Sequence, residues 1–383
     1  MVFGFFVMCN DEDIKYMRMA LALAGRGRGH VGPNPMVGAV IVRDGRVLAQ
    51  GWHHVCGSLH AERDALASCS ESVGGATMYV TLEPCCHHGK QPPCTDAIIA
   101  AGISRVVMAM TDPNPLVAGH GAAILREHGI EVTSGVLEAE ARHLNRIFIK
   151  YITTRRPWVV LKWAMTLDGR IAAVSGDSKW VSGEQSRRLV HELRGRYMGI
   201  VAGKGTVLAD DPMLNCRLDV MRQPVRIIVD SKASMPPDCQ LARTAREYRT
   251  VVAHTDMVEA HRLEALRSCG VETLLCSCGA DDMVNLEDML GQLGAMGLDS
   301  VLVEGGGELN WSLVRSGLVD EFYVFVAPKI VGGHTAKGPV GGSGFGTMAA
   351  ACGMRVDTVE MVGEDILIHG FSSKYDKSKC LQE

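Results

Sequence analysis

The sequence predicts an α/β protein built as two domains. Three observations carry that reading. The chain has 383 residues, more than one domain usually holds. Short apolar, β-branched runs alternate with helical segments in both halves. A polar break ending in proline, Arg155-Arg156-Pro157, separates them. The boundary puts a first domain at residues 1–152 and a second at 153–383.

In the first half Ile14, Met17, Leu21 and Ala24 recur at helical spacing behind Asp11, the candidate cap. Glycine-rich residues 25–32 end that helix. A strand over 36–42 meets the turn Asp44-Gly45, and Arg46–Ala49 returns as the second arm of a hairpin. A helix starts near His60 and runs through Leu66, followed by a strand over Met78–Leu82. A helix from Cys94 to Ala101 and a strand over Arg105–Met110 come next. Residues 137–157 read as one connecting helix and a linker. The second half opens with a strand at Trp158–Lys162. It continues with Gly199–Ala202, Val225–Val229, Thr250–Ala253, Ser300–Val303, Phe322–Val326 and Ile366–Ile368, with helical segments between several of them. The tail after Phe371 is polar and reads as frayed.

Composition narrows the function. Hydrophobic residues make up 47% and charged residues 21%, enough apolar material for cores without disulfide staples. A net charge of -4 argues against a nucleic-acid surface, which is normally basic. The 13 cysteines are odd in number and unevenly spread, which suits reduced thiols in a cytoplasmic protein better than a secreted framework. The apolar opening Val2–Met8 is short, lacks a basic flank and runs into Asp11-Glu12-Asp13, unlike a signal peptide. No apolar run is long enough to span a bilayer.

The strongest chemical signal is His60-Ala61-Glu62, then Pro84-Cys85, then Cys94. Imidazole and thiolate are good zinc ligands, and a catalytic zinc keeps three protein ligands with one position open. His60, Cys85 and Cys94 supply such a set. Glu62 is the candidate acid–base, passing a proton from the attacking water to the leaving amine. The competing reading is a closed structural site, with His87, His88 or Cys86 as the fourth ligand. Eight residues separate Cys85 from Cys94, against two in the common nucleobase-deaminase signature.

With Pro33-Asn34-Pro35-Met36-Val37-Gly38, Gly51-Trp52-His53 and Asp112-Pro113-Asn114-Pro115, that wide gap resembles the deaminase half of the bifunctional riboflavin-biosynthesis deaminase/reductase family. The resemblance implies a cytidine-deaminase-like, three-layer α/β/α domain carrying one Zn2+. It also implies a phosphorylated pyrimidine substrate, 2,5-diamino-6-ribosylamino-4(3H)-pyrimidinone 5′-phosphate, contacted by Asn34 and His53. Gln91 stands where the family usually has Thr.

Signals in the second half are weaker singly. Val303-Glu304-Gly305-Gly306-Gly307-Glu308-Leu309 follows a strand and opens a helix, and Gly203-Lys204-Gly205-Thr206 is similar. Either is a plain turn or a phosphate cradle, and neither is the G-x-G-x-x-G fingerprint. The constellation is more specific. Lys162-Trp163-Ala164-Met165-Thr166-Leu167-Asp168-Gly169-Arg170, Ser178-Lys179-Trp180, His191-Glu192-Leu193-Arg194, Gly205–Pro212 and Arg217 resemble the reductase half of the same family. That implies a dihydrofolate-reductase-like α/β domain using NADPH. It implies cofactor contacts from Ala164, Trp180, Thr206, Asp210, Ser231 and the segment Gly306, Gly307, Glu308, Leu309, Asn310, Trp311, Ser312. Ser178, Arg194, Leu214, Arg217 and Glu304 would hold the substrate; a 5′-phosphate suits the permanently charged fork of arginine. Lys162 and Asp210 are the candidates for orienting the ribosyl group and assisting proton transfer. Met198 and Asn215 depart from the family's usual Asp and Thr. The resemblance further implies a homo-oligomer. Two other readings stay open at this stage: a nucleic-acid deaminase with a non-catalytic binding module, and a structural zinc protein.

Overall fold

The computed structural model describes residues 10–88, 91–114, 117–219 and 222–375. The apolar opening and most of the tail lie outside them; the described part of the tail ends a strand at Ser372 and turns back through a Tyr375 N–H to Ser372 carbonyl bond of 2.8 Å. The chain divides into two compact units between Thr154 and Arg155.

The first unit runs α1 (Asp11–Ala24), β1 (Gly38–Arg43), β2 (Arg46–Trp52), α2 (Ala61–Ser68), β3 (Thr77–Val80), α3 (Cys94–Ala100), β4 (Arg105–Met108), α4 (His120–Glu127), β5 (Glu131–Ser134), α5 (Glu138–Leu144) and α6 (Arg146–Thr154). The cap of α1 is Asn10 rather than Asp11. Asn10 is extended and its side chain accepts from the Glu12 N–H, while Asp11 is already helical and adds charge to an acidic first turn. Asp44 and Gly45, at φ 52 and 73, make the tight turn whose twist suits a hairpin. The sheet order is β2-β1-β3-β4-β5, antiparallel up to β3 and parallel beyond it. Gly38 and Gly51 show how it is layered. A Cβ on Gly38 would run into the Ala20 backbone of α1, and one on Gly51 into the Ala65 backbone of α2. Gly51 pairs with Ala39, the neighbour of Gly38, so the two glycines point to opposite faces. Helices therefore cover both sides, α1 on one and α2 on the other, as a three-layer α/β/α domain.

The second unit runs β6 (Trp158–Thr166), α7 (Glu184–Arg196), β7 (Gly199–Gly203), α8 (Lys204–Asp210), β8 (Val225–Val229), α9 (Gln240–Arg243), β9 (Thr250–His254), α10 (Ala260–Ser268), β10 (Glu272–Leu275), α11 (Leu286–Ala295), β11 (Ser300–Val303), α12 (Gly307–Arg315), β12 (Glu321–Ala327), β13 (Met354–Val362) and β14 (Asp365–Ser372). Its sheet order is β10-β9-β8-β7-β11-β6-β12-β14-β13, parallel from β10 to β12 and antiparallel at the β14 and β13 edge. The carboxyl ends of β7, β11 and β6 are neighbours, where an open α/β sheet presents its ligand site.

Three readings change. Residues 137–157 hold two helices, broken at Asn145, because that side chain is pulled into the core. The pair α4 and β5 adds to the elements that the sequence predicts. Edge strands β10 and β13 were missed because they bury little; on β13, Val356, Val359 and Met361 are exposed. Among the described residues no helix is long and apolar enough to cross a membrane.

Candidate active site

In the first unit, His60 precedes the first turn of α2, Cys94 opens α3, and Cys85 lies on the loop leaving β3. His60 Nδ1 stands 3.5 Å from Cys85 Sγ and 3.4 Å from Cys94 Sγ. The three ligand atoms lie within 4.8 Å of one another. Tetrahedral zinc, with bonds of about 2.3 Å to sulfur and about 2.0 Å to nitrogen, sets N···S edges of roughly 3.5 Å, so the donor set fits the ion. No other His, Cys, Asp or Glu among the described residues joins the cluster. Cys86 is half-buried, and His87 and His88 point to solvent, so the expected fourth ligand of a closed site is missing.

Thiol chemistry supports the fit. The Cys94 backbone N–H donates to Cys85 Sγ at 3.3 Å, so the start of α3 favours a thiolate there. The hydrogen bond from the Cys94 thiol, then that from His60, holds Cys85 down at about 4, while the same bond and burial push Cys94 up. A dication between the two sulfurs would take the place of the thiol proton and neutralise both as thiolates. Glu62, in the first turn of α2, is 4% exposed. Burial, followed by the charge on Cys85, pushes its carboxyl up to about 7, the range in which a group can both take and return a proton at neutral pH.

The two predicted substrate contacts meet beside this cluster. Asn34 Nδ2 donates to His53 Nε2 at 3.2 Å, and His53 Nδ1 then donates to the Leu59 carbonyl at 2.9 Å. Burial lowers the His53 pKa and keeps it neutral. The His53 ring lies edge-on to His60, with centroids 5.6 Å apart.

Two residues of this site were not singled out from the sequence. Glu83, buried just before Pro84-Cys85, accepts from the Asp112, Gly119 and Ala122 N–H groups at 3.1, 2.9 and 3.1 Å, tying those three residues to the ligand loop. Asn145 is 1% exposed. It accepts from the Met36 N–H at 2.8 Å and donates to the Met36 carbonyl at 2.9 Å, clamping the loop that carries Asn34. Neither leaves a spacing signal, since each binds distant backbone. Asn145→Ala is expected to raise the deaminase KM about tenfold, as two buried backbone bonds are lost, with zinc content unchanged. Loss of zinc with KM intact would show that the clamp serves the metal loop instead.

In the second unit Lys162, Arg194 and Glu304 come together. Arg194 Nε and Nη2 donate to the Glu304 carboxylate at 2.6 and 3.1 Å, its Nη1 to the Asn215 carbonyl at 3.2 Å, and Lys162 Nζ is 3.6 Å from Glu304. Burial alone would raise Glu304; the charges of Arg194 and Lys162 outweigh it and hold the carboxyl at about 2. Burial lowers Lys162 against the pull of Glu304. Asp210 is not joined to Lys162 by any hydrogen bond among the described residues: it is exposed at the end of α8 and accepts from Ser178 Oγ at 3.5 Å. Arg217 is exposed, and its backbone N–H meets His191 Nδ1 at 3.3 Å.

The expected cofactor residues fall into two groups. Ala164 lies on β6, Thr206 in the first turn of α8, and Gly306 caps α12, where an added Cβ would be 3.7 Å from Thr206 Oγ1. Two adjacent helix N-termini thus face one space, an anion cradle by backbone geometry. Trp180 is 63% exposed with the Arg187 guanidinium 4.8 Å above its ring. The side chains of Leu309, Asn310 and Trp311 are buried, and Ser312 Oγ bonds the Glu308 carbonyl. Leu214 is buried in the core as well. These residues offer ligands mainly backbone. Ser231 Oγ accepts from the Val284 N–H at 3.0 Å.

A three-donor cluster that fits zinc, with a buried carboxyl beside it, joined in one chain to a parallel-sheet unit with two adjacent helix N-termini, suits a two-domain deaminase and reductase. Residues 10–110 match the model of the cytidine and deoxycytidylate deaminase zinc-binding region, and residues 157–368 that of the RibD C-terminal domain. The chain is 49% identical to the riboflavin biosynthesis protein RibD of Actinobacillus pleuropneumoniae over 93% of its length and 94% of that protein's. It is 41% identical to RibD of Escherichia coli strain K12, covering 94% and 99%. A crystal structure of a diaminohydroxyphosphoribosylaminopyrimidine deaminase/5-amino-6-(5-phosphoribosylamino)uracil reductase from Thermotoga maritima superposes with a TM-score of 0.83 at 39% identity, covering 94% of this chain and 99% of that one. The chain belongs to the RibD family: it is a bifunctional deaminase and reductase of riboflavin biosynthesis, with Zn2+ and NADPH as cofactors. The nucleic-acid and structural-zinc readings give way to it.

Proposed function

We propose that residues 1–152 deaminate 2,5-diamino-6-ribosylamino-4(3H)-pyrimidinone 5′-phosphate at its 2-amino group. Residues 153–383 then reduce the ribosyl to a ribityl chain, giving 5-amino-6-ribitylaminouracil 5′-phosphate. The observation that carries this reading is Glu62, buried against the His60, Cys85 and Cys94 cluster with its carboxyl near 7. Zinc held by those three side chains would acidify a bound water towards neutrality. Glu62, buried beside that cluster, is placed to take a proton from the attacking water and return it to the departing amino group. Asn34 and His53, fixed by each other and by Asn145, hold the pyrimidine.

NADPH bound in the second domain would supply the hydride to C1′. Ala164, Trp180, Thr206, Asp210, Ser231 and the Gly306–Ser312 backbone form its site. Glu304 orders Arg194 and Lys162; Lys162, its ammonium destabilised by burial, orients the ribosyl group with Asp210 and delivers a proton as the ring oxygen departs. Ser178, Leu214 and the exposed, permanently charged Arg217 complete the substrate contacts. The net charge of -4 supports a small-molecule substrate rather than nucleic acid. Reduced cysteines support a cytoplasmic enzyme, and the apolar outer side chains of edge strand β13 support a homo-oligomer.

The test incubates zinc-loaded protein with the diaminopyrimidinone ribosyl phosphate, with and without NADPH, following ammonia and NADPH absorbance separately. Ammonia without NADPH, and NADPH oxidation only after deamination, are expected. Ammonia with no NADPH oxidation would remove the reductase assignment, and no ammonia would remove the substrate.

A further inference from the structure

Between β12 and β13 a long glycine-rich segment has no strand of its own, yet it is tied down at both sides. On one side is the turn after β6. The Asp168 carboxylate accepts from the Gly332 and Val331 N–H groups at 2.7 and 3.2 Å and from the Thr166 hydroxyl at 2.6 Å. The Ile171 N–H donates to the Lys337 carbonyl at 2.9 Å, and Arg170 to the Ala336 carbonyl at 2.8 Å. On the other side is α12. The Gly341 N–H donates to the Gly307 carbonyl at 3.0 Å, Asn310 Nδ2 to the Pro339 carbonyl at 2.7 Å, and the Gly342 N–H to Glu308 at 3.2 Å. Gly342 has φ 68, and a Cβ there would collide with the Trp311 ring, so only glycine fits.

This strap therefore bridges the two elements assigned to NADPH, the end of β6 and the N-terminus of α12. A separate observation points to a ligand at the bridge. Asn310 is 1% exposed, yet its Oδ1 makes no hydrogen bond. It faces Gly305, where an added Cβ would lie 2.8 Å from it. A buried acceptor left unsatisfied is costly, and this one calls for a donor, such as a cofactor hydroxyl, beside the glycines expected to meet the cofactor phosphates.

We propose that Asp168 is a positioning residue for NADPH. It anchors the 331–342 strap, and the strap sets the first turn of α12, with its Gly305–Gly307 backbone N–H groups, against the cofactor pyrophosphate, and Asn310 Oδ1 towards a donor group of the same cofactor. Asp168 itself touches neither cofactor nor substrate. The inference rests on the NADPH placement proposed above.

The experiment compares Asp168→Ala with the parent enzyme. The Kd and KM for NADPH are expected to rise about tenfold, since two backbone bonds to a carboxylate are lost. The kcat at saturating NADPH, the KM for the pyrimidine and the deaminase activity stay unchanged; a merely structural role would move them together. Asp168→Asn, which keeps one acceptor oxygen, falls between, and decides by the same readouts if Asp168→Ala fails to fold. Hydrogen exchange separates the two layers of the argument. In the parent, NADPH slows exchange at 306–312 and at 331–342, and in Asp168→Ala the second protection weakens. Protection at 306–312 with NADPH affinity and 331–342 exchange indifferent to Asp168 overturns the strap role and leaves the placement standing. No protection at 306–312 in the parent overturns both.

Discussion

Glu62→Gln is expected to lower the deamination rate by about 10²–10⁴-fold, the usual contribution of a positioned acid–base. The substitution keeps the side chain's volume and removes only its ability to exchange a proton. His60, Cys85 and Cys94 are untouched, so zinc content measured by metal analysis stays at the parent value. NADPH oxidation with pre-deaminated substrate also stays at the parent rate, because the reductase residues belong to the other compact unit. These controls matter because Glu62 lies two positions from His60, and its environment includes the Cys85 thiolate and the Cys94 thiol. If the variant loses zinc in proportion to activity, Glu62 is a support for the metal site and not its proton carrier. If it retains zinc and full activity, the proton path runs elsewhere.

The parts of this molecule that were legible in the sequence share a physical reason. His60, Glu62, Cys85 and Cys94 are conspicuous because few other arrangements use those side chains together, and His60, Glu62 and Cys94 fall at helix starts that capping patterns locate. Asp44-Gly45 announced its hairpin because positive φ at consecutive positions needs such residues. Asn145, Glu83 and Asp168 were silent as clamps because each acts on backbone far along the chain, and any residue can supply a backbone N–H. The pairing of Lys162 with Glu304 leaves no local signal either. That partnership depends on β11 lying between β7 and β6, and strand order is not written in local periodicity. β13 was missed for the opposite reason to the core strands: its apolar side chains face outward, so alternation does not mark a buried face.

Arg194→Ala is expected to lower the stability of the second unit by about 3–5 kcal/mol, the usual consequence of breaking one side of a buried ion pair, and to abolish reduction. The side chains of Arg194 and Glu304 are 15% and 12% exposed, so water cannot replace the lost guanidinium. Lys162, at 3.6 Å, remains as the cation beside Glu304, but without the two-point geometry of the fork. Arg249→Ala is the comparison. Its pair with Glu272 is nearly half exposed on both sides, where such pairs contribute about 0–1 kcal/mol. The pH dependence has a definite sign. The folded state holds Glu304 at about 2 against an ordinary 4.5. Its stabilisation is therefore complete above pH 4.5 and is lost as the pH falls through that window towards 2. Removing Arg194 takes away the larger of the two charges holding Glu304 down, so the acid transition of the variant moves to higher pH. Unfolding followed through Trp158, Trp163 and Trp311, all in the second unit, measures both effects. Equal destabilisation by Arg194→Ala and Arg249→Ala would mean that the buried triad contributes no more than a surface pair, and its purpose would then lie wholly in holding substrate.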